Sequence, residues 1–439
     1  MFATLMTTRR FAPLFWCQFF SALNDNFIKN ALVILILYQA GAAADDASNT
    51  GTLVTLAGVA LVIPFFLFSA LGGQLADRFD KGRVARHLKL AEIPIAALAA
   101  WGFIAQSIPL LFVVLALFGT MAALFGPLKY GTLPEQLSTQ ELSAGNAFIE
   151  GATFTAILLG TVAGGLAASA EGGGSAIAAA IIAMAALGWG SAAMIPRRGP
   201  AAPQLQVDFS PLASTFRLLA TLRADPTLWR GALIVSWFWL VGMVALSLLP
   251  ALVKITLNGS EGVVTLFLVL FTIGIAAGST LAAWLARGQP NLALVPLAAV
   301  LMGLFCLDLA LALASAAPTP TPQGPATLLS TFGGWRIAFD LSALALAGGL
   351  FIVPAFAAVQ AWAPEQARAR TIAAVNIVNA AFMTAGGIAT AVLQSFGVSL
   401  TALFAGLGVL TLGVSWLIAR AWGGWYAQGA PPLALAKEP

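Results

Sequence analysis

The 439-residue sequence is poor in charge, histidine and cysteine. Charged residues make up 9% of the chain, and there are one histidine and two cysteines. About 25% of the residues of an ordinary soluble domain are charged, so this composition excludes a water-soluble globular protein. A single histidine and two distant cysteines also predict no metal centre, no disulfide and no histidine-based catalytic set. We therefore expect no cofactor and no enzymatic activity.

Apolar residues are correspondingly abundant. They make up 60% of the sequence, and the mean hydropathy is +0.92. A membrane-spanning helix needs about 20 consecutive apolar residues, and the sequence divides into twelve such stretches separated by short polar breaks. This pattern predicts an all-α integral membrane protein with twelve transmembrane helices.

The twelve stretches form two sets of six, separated by a basic segment that contains several prolines. An internal repeat supports this division, because Pro134-Glu135-Gln136 with Asn146 ten residues later recurs 230 residues further on as Pro364-Glu365-Gln366 with Asn376. Duplicated helix sets related by pseudo-symmetry are a common transporter plan. The predicted divisions are an N-terminal six-helix bundle at 1–195, a cytoplasmic linker at 196–227, a C-terminal six-helix bundle at 228–423 and a cytoplasmic tail at 424–439.

Lysine and arginine fall almost entirely in alternate loops, and the remaining loops carry acidic residues. Because cytoplasmic loops of membrane proteins are enriched in Lys and Arg, we expect both termini to be cytoplasmic. The pI of about 9.3 then reflects topology and contact with anionic membrane lipids. No basic stripe interleaves with exposed aromatics, so no nucleic-acid partner is expected. The acidic residues of the other loops are Asp45, Asp46, Glu171 and Glu261.

The first apolar stretch contains two charges. Residues 24–35 read NDNFIKNALVIL and place Asp25 and Lys29 within the span. Charges inside a membrane cost roughly 2.5 to 3.5 kcal/mol each on insertion scales and often mark a transport pathway. Asp25 lies about 20 Å along the predicted helix, near the membrane midplane. It is a candidate for binding a substrate cation or a coupling ion, and the alternative is an ion pair with Lys29 that links helices.

Three further polar residues are candidates for the same site. Lys129 follows Pro127, which should loosen the end of the fourth helix, and it could bind an anionic group or extend to the interface. Glu150 comes one turn after Asn146 in the fifth span, and its repeat counterpart is Ala380. The carboxylate is therefore not required by symmetric packing. It could bind a substrate, titrate during transport or pair with Lys129.

Other intramembrane charges suggest gates or structural pairs. Arg336 and Asp340 are four residues apart near the outer end of the tenth span, which predicts a gate or an ion pair. Asp308 has no partner in its own helix and must find one elsewhere or bind a cation. Glu92, near Lys89, is expected to lie at the membrane interface.

The loop between the second and third spans reads GGQLADRFDKGR over residues 72–83. It resembles the loop signature of the major facilitator superfamily, although about two extra residues precede the last glycine. The resemblance implies that the aspartate and arginines of this loop latch helix ends together and bias the conformational equilibrium. The matching positions are Gly73, Asp77, Arg78, Gly82 and Arg83, of which Asp77, Arg78 and Arg83 are the expected gating residues.

Four longer runs, 19–32, 126–135, 146–165 and 348–360, resemble the bacterial lysophospholipid transporter family, a branch of the same superfamily. The resemblance implies a flippase of the bacterial inner membrane. It would move lysophospholipids such as lysophosphatidylethanolamine from the outer to the inner leaflet by alternating access, for reacylation by a cytoplasmic-side acyltransferase. The residues expected to bind the substrate or couple its transport are Asp25, Lys29, Lys129, Asn146 and Glu150.

Three alternatives remain open at the level of sequence, one of which is a nutrient-uptake porter. Another is a proton-coupled drug or metabolite exporter of the same superfamily. The fifth span of such antiporters has spaced glycines and a proline; Gly151, Gly160 and Gly164 fit the spacing, but Gly165 stands where the proline is expected. The third is a membrane scaffold or scramblase that keeps the fold without coupled transport.

Overall fold

Twelve long helices make up most of the part of the chain that the structure describes. The structure is a computed structural model, and it describes residues 5–41, 47–169, 173–286, 292–316 and 321–427. Each of the twelve helices is long and apolar enough to cross a membrane, which confirms the predicted all-α class and the predicted number of spans. Asp45, Asp46, Glu171 and the tail from residue 428 lie outside the described residues.

Helices are the expected form of these segments, since a chain in lipid must satisfy its backbone hydrogen bonds within the segment. Prolines occur inside several of the helices, where neighbouring helices and side chains can satisfy the freed carbonyls. The helices are α1 (Ala12–Gly41), α2 (Ala47–Arg78), α3 (Lys81–Ile104), α4 (Ile108–Gln136), α5 (Thr139–Ser169), α6 (Gly173–Ala193), α7 (Pro226–Ala251), α8 (Glu261–Leu285), α9 (Leu294–Ala314), α10 (Phe332–Trp362), α11 (Arg368–Ser395) and α12 (Leu400–Ala427).

Four shorter elements lie between the long helices in the described part of the chain, one of which is the 3-10 turn Glu365–Ala367 before α11. A linker helix, Pro211–Ala224, follows α6 and packs on α2, where the Thr215 hydroxyl donates to the Phe66 carbonyl at 2.8 Å. A π-helical turn, Leu252–Thr256, ends α7, and a five-residue helix, Pro325–Leu329, precedes α10.

The chain forms two compact units. Unit 1 comprises Met1–Ser138, Ala152–Pro226 and Ala363–Ile377, and unit 2 comprises Thr139–Gly151, Thr227–Trp362 and Val378–Pro439. In unit 1, α2 packs on α4, and α3 packs on α4 and α6; in unit 2, α8 packs on α10, and α9 packs on α10 and α12. These three neighbour pairs of unit 1 recur in unit 2 six helices later, in agreement with a duplicated helix set. The predicted boundaries at 1–195 and 228–423 stay a prediction.

The repeated Pro-Glu-Gln motif precedes the two segments that each unit takes from the opposite half of the sequence. The start of α5 belongs to unit 2, where Asn146 Nδ2 donates to Gln360 Oε1 of α10 at 2.6 Å. The start of α11 belongs to unit 1, where an added Cβ on Gly126 of α4 would lie 3.0 Å from Asn376 Nδ2. The two repeat-related asparagines therefore approach equivalent helices, α10 and α4.

Small residues of α5 allow α1 to pack closely in unit 1. A Cβ added to Gly160 would lie 2.5 Å from the Leu23 carbonyl oxygen, and one added to Gly164 would overlap the Phe27 carbonyl. Close approach of helix backbones at glycine is typical of membrane bundles. These contacts flank Asp25 and hold this part of α1 against α5.

Candidate functional site

The polar run of α1 contributes both anchoring and charge to unit 1. Asn24 Nδ2 donates to the Ile181 carbonyl of α6 at 3.3 Å, and Asn30 Nδ2 donates to Thr161 Oγ1 of α5 at 3.1 Å. Lys29 directs its ammonium to Asn26 Oδ1 at 3.4 Å and interacts with Asp25 at longer range. Asn24 and Asn30 therefore hold α1 in place, and Asp25 and Lys29 supply the charge.

The half-buried carboxylate of Asp25 lies within electrostatic range of four charged side chains of unit 1. Within the part of the chain that the structure describes, no lysine or arginine nitrogen forms an ion pair with it. The predicted pairing with Lys29 is thus not a direct ion pair. The four charged neighbours of Asp25 are Lys29, Lys89, Glu92 and Lys129.

A buried ion pair in α3 belongs to the same cluster. Lys89 is 1% exposed and Glu92 is 5% exposed, and the Lys89 ammonium pairs with the Glu92 carboxylate one turn away. The ammonium also lies 4.3 Å from the centre of the Phe125 ring of α4, a cation–π contact. The structure places Glu92 and Lys89 in the interior of unit 1, and the expectation that Glu92 lies at the membrane interface stays a prediction. Lys89 follows several loop cations in sequence, and hydropathy alone does not show which side of α3 faces the interior of the unit.

Lys129 completes the charged cluster from α4. Its side chain is buried, and Nζ lies 4.1 Å from the centre of the ring of Tyr130. Lys129 is about 10 Å from the last residue of α4, so the lysine is enclosed in unit 1 although it lies close to a helix end. We define the unit 1 charge cluster as Asp25, Lys29, Lys89, Glu92 and Lys129. Its three lysines and two carboxylates carry a formal charge of +1.

Asn146 and Glu150, the other two candidates, lie in the segment of α5 that belongs to unit 2. Both are buried, at 1% exposed. Asn146 Nδ2 donates to the Leu142 carbonyl at 3.0 Å as well as to Gln360. The structure therefore brings Asp25, Lys29 and Lys129 together within unit 1 and places Asn146 beside Gln360 within unit 2. Gln360 was not singled out from the sequence, since a glutamine near a helix end has no distinguishing pattern.

Asp77, at the end of α2, caps the start of α11. This fully buried carboxylate accepts hydrogen bonds from the backbone N–H groups of Ala369 and Arg370 at 3.0 and 3.1 Å, and from Arg370 Nε at 3.0 Å. The first N–H groups of a helix lack intrahelical partners and carry partial positive charge, so an aspartate there is favourable. We call this contact between Asp77, Ala369 and Arg370 the α2–α11 latch.

One ion pair and one helix-capping aspartate lie close to the latch in sequence. Lys81, the first residue of α3, pairs with Glu135 of α4 at 2.5 Å. Asp80 caps α3 by accepting from the Arg83 N–H at 2.9 Å, and its second oxygen accepts from the N–H groups of Arg198 and Gly199 at 2.9 and 2.8 Å. These bonds tie the α2–α3 loop to α4 and to the segment after α6.

The structure does not place the three predicted gating residues of this loop in one contact. Asp77 forms the latch, Arg78 stacks over the Phe79 ring at 5.7 Å, and the Arg83 side chain is exposed. The basic partner of Asp77 is instead Arg370, 293 residues away. One signal for Arg370 was available, because an arginine in the first turn of a helix opposes the helix dipole and therefore requires a nearby anion.

Breaking the α2–α11 latch should expose the start of α11. In Asp77→Asn we expect a cysteine placed at the buried Thr371 to react about tenfold faster with a membrane-impermeant thiol reagent. Hydrogen bonds to a charged group contribute about 1.5–3 kcal/mol, and 1.4 kcal/mol corresponds to a factor of ten. Both native cysteines are buried and should give a low background.

The matched control for this experiment is Glu365→Gln, which removes a carboxylate at an exposed position just before α11. Labelling in Asp77→Asn that is no faster than in this control would contradict the latch.

Arg336 pairs with Asp308 of α9 and not with Asp340 as the spacing in α10 had predicted. Its Nε donates to Asp308 Oδ2 at 3.2 Å, and its Nη2 donates to Oδ1. Asp308 therefore has the partner from another helix that the sequence required. A gating role for Arg336 and Asp340 stays a prediction.

The chain resembles known proteins over most of its length. Residues 14–339 match the family model of the Major Facilitator Superfamily. The chain is 30% identical over 359 residues to the lysophospholipid transporter LplT of Klebsiella pneumoniae (strain 342), with 78% of each chain covered. The chain belongs to the LplT-like branch of the major facilitator superfamily. A second LplT-like relative, the lysophospholipid transporter LplT of Enterobacter sp. (strain 638), is 29% identical over 408 residues, covering 90% of this chain and 89% of the relative.

Solved structures show the same fold for this LplT-like chain. The human organic anion transporter MFSD10 superposes with a TM-score of 0.74 at 16% identity, covering 93% of this chain and 99% of that one. The proton:xylose symporter XylE superposes with a TM-score of 0.67 at 14% identity, covering 92% and 95%. At these identities the likeness concerns the fold alone. The twelve long apolar helices and the bacterial LplT relatives identify the LplT-like chain as a multi-pass membrane protein.

Proposed function

We propose that the protein is a lysophospholipid transporter that moves lysophospholipids such as lysophosphatidylethanolamine from the outer to the inner leaflet of a bacterial inner membrane. The observation that carries this proposal is the 30% identity over 78% of the chain to a bacterial relative named for that substrate. The relatives are named as transporters and not as enzymes, which agrees with the expected absence of catalysis.

The unit 1 charge cluster matches the chemistry of a lysophospholipid headgroup. Such a headgroup carries a phosphate and, in lysophosphatidylethanolamine, an ammonium. Lys129 is a compact cation suited to the phosphate, and Asp25, which lacks a direct ion pair among the described residues, is suited to the ammonium. The net charge of +1 favours a substrate with at least one phosphate. The acyl chain requires only apolar surface, which every helix of the protein provides.

Alternating access requires contacts that form in one state and break in another. The α2–α11 latch is suited to this role because its bonds join the end of one helix to the start of another that is distant in sequence. We propose gating roles for Asp77, Arg78 and Arg83 at the loop between α2 and α3, and for Arg336 and Asp340 near the loop that joins α9 and α10. Asn146 and Glu150 are proposed to contribute to substrate binding or coupling from the start of α5.

The proposal includes a location and a partner. The positive-inside pattern supports cytoplasmic termini in the bacterial inner membrane. A lysophospholipid delivered to the inner leaflet is a substrate for reacylation, so we propose an acyltransferase acting on the cytoplasmic side as the functional partner.

The test is uptake of labelled lysophosphatidylethanolamine into proteoliposomes containing the purified protein, beside a panel of water-soluble cationic drugs. We expect protein-dependent movement of the lipid at least tenfold above protein-free vesicles, and no movement of the drugs. Drug movement without lipid movement would instead make the protein an exporter. Movement of neither would support a scaffold that keeps the fold alone.

A further inference from the structure

Unit 2 contains a second charged cluster, on α9 and α10. Asp308 of α9 accepts from Arg336 Nε and Nη2, one bond to each carboxylate oxygen. The guanidinium is thereby directed at Asp308. Asp340 lies one turn further along α10, within side-chain hydrogen-bonding range of the Asp308 carboxylate. One arginine therefore lies near two carboxylates, and of the two it forms hydrogen bonds with Asp308 alone.

Asp340 is enclosed by the protein. It is 0% exposed, and within the described residues neither of its oxygens accepts a hydrogen bond from an N–H or O–H donor. An ionised carboxylate in this position would have lost its hydration without any compensating donor, at a cost of roughly several kcal/mol. A neighbouring carboxylate raises that cost further, because two adjacent like charges cannot both remain ionised at low cost.

A single proton removes both difficulties. Protonated Asp340 has an O–H that can donate to Asp308, and the pair then carries one negative charge opposite the one positive charge of Arg336. The geometry points to a proton-binding site at Asp340, with the Asp308 carboxylate as the acceptor of the shared hydrogen bond. This site lies outside the unit 1 charge cluster, and its existence does not depend on which substrate the protein transports.

Among the described residues, the helices packed most extensively on α10 offer no other charge to neutralise Asp340. The charged residue of α8 is Glu261, at its first position, and α9 contributes Asp308 together with the buried thiol of Cys306. The short helix Pro325–Leu329 contains no titratable side chain.

Two further segments in contact with α10 carry their charges elsewhere. The charged residue of α7 is Arg230, near its start, and α7 meets α10 where Phe238 approaches Gly348. The start of α5, with Glu141 and Glu150, contacts α10 at Gln360. Gln360 is 20 residues from Asp340, or about 30 Å along the helix.

A proton fits this site better than a metal ion. Ca²⁺ takes about six to eight oxygen ligands, and both oxygens of Asp308 already accept from Arg336. Among the described residues no group of three or more His, Cys, Asp or Glu side chains is placed to hold a metal. The site therefore has too few free oxygens for a metal ion and enough for one proton.

We expect the proton to reach Asp340 from the side of Asp308. The side chains of Asp308 and Arg336 are 42% and 31% exposed. The cluster therefore reaches the protein surface at Asp308 and is buried at Asp340. Asp308 lies about 9 Å before the end of α9, and Asp340 lies about 12 Å after the start of α10. Both positions are near the loop that joins these two helices, and the proton would reach Asp340 from that side past Asp308.

The test is infrared spectroscopy of the full-length protein in lipid vesicles at neutral pH, using the carbonyl stretch of a protonated carboxylic acid. We expect this band in the parent, its loss in Asp340→Asn, and its retention in Asp25→Asn, which removes a carboxylate from the other cluster. If Asp340→Asn is not recovered folded, Asp308→Asn replaces it. That substitution releases Arg336 to stabilise ionised Asp340, so the band should again be lost.

Three results would overturn the proposal. One is a parent spectrum without a protonated carboxylic acid, and another is a band that Asp340→Asn leaves unchanged. The third is a band that appears only when Na⁺ is withdrawn, which would assign the site to a sodium ion. Because none of these readouts involves lysophospholipid, failure of this proposal would be distinguishable from failure of the proposed transport function.

Discussion

Asp25→Asn should lower the initial rate of lysophosphatidylethanolamine uptake by at least about tenfold while leaving the amount of folded, reconstituted protein unchanged. The variant keeps the shape of the side chain and removes the charge proposed to pair with the headgroup ammonium. Loss of a charged hydrogen bond costs about 1.5–3 kcal/mol, and each 1.4 kcal/mol is a factor of ten. The measurement is uptake of labelled lipid at matched protein content.

A structural role for Asp25 would also lower uptake, so the experiment needs a second readout. Lysophosphatidylglycerol carries the phosphate without the amine. If Asp25 binds the amine, Asp25→Asn should lower uptake of lysophosphatidylethanolamine more than uptake of lysophosphatidylglycerol. The uptake rate of the ethanolamine lipid divided by that of the glycerol lipid should therefore fall. Equal losses for the two lipids would remove Asp25 from headgroup recognition.

Asp225→Asn is the matched control for Asp25→Asn. It makes the same chemical change at an exposed residue that ends the linker helix, and it should transport both lipids at the parent rate. A defect in this control equal to that of Asp25→Asn would show that the loss does not depend on the unit 1 charge cluster.

Glu92→Gln should destabilise the protein by about 3–5 kcal/mol, the typical cost of removing one partner of a buried ion pair. The Lys89 ammonium would remain buried, with the Phe125 ring as a weak remaining partner. The measurement is thermal unfolding of the purified protein in detergent, with Glu365→Gln as the control at an exposed site. Unfolding of Glu92→Gln at the parent temperature would contradict the assignment of the pair to the interior.

The double variant Lys89→Met/Glu92→Leu separates stability from function. Replacing a buried ion pair by apolar residues of similar size is often neutral or stabilising, so its unfolding temperature should return close to that of the parent. Uptake of lysophosphatidylethanolamine by the double variant should be lower than that of the parent, because Lys89 and Glu92 lie within electrostatic range of Asp25. Parent-like uptake by the double variant would show that the pair has a structural role alone.

The sequence predicted the helices well and the partners of charged residues poorly. Hydropathy and span length are local properties, so twelve helices and the intramembrane position of Asp25 followed from short windows of residues. The i, i+4 spacing of Arg336 and Asp340 predicted an ion pair within α10, yet Arg336 pairs with Asp308 on α9. Spacing along one helix shows which side chains could meet, and the neighbouring helix determines which of them do.

For the same reason, the sequence did not predict the partners of Lys89 and Arg370. Each lies within a basic stretch of sequence, where a position in a loop is the ordinary expectation. Lys89 points into unit 1 and meets Glu92, whereas Arg370 meets Asp77 from 293 residues away. The outcome depends on how α3 and α11 are rotated about their axes, and the hydropathy of a uniformly apolar helix contains little information on rotation.

By itself the sequence determined that this is a twelve-helix membrane protein with a duplicated helix set, a family resemblance and charges inside its first, fourth and fifth spans. Those features depend on composition, repetition and short motifs, which are readable residue by residue. Only the tertiary structure decided that Lys89 and Glu92 join Asp25 and Lys129 in one cluster, that Asp77 caps α11, and that Asp340 is buried with no hydrogen-bond donor among the described residues. These arrangements depend on the packing of helices distant in sequence, which sets the partner and the burial of each charge.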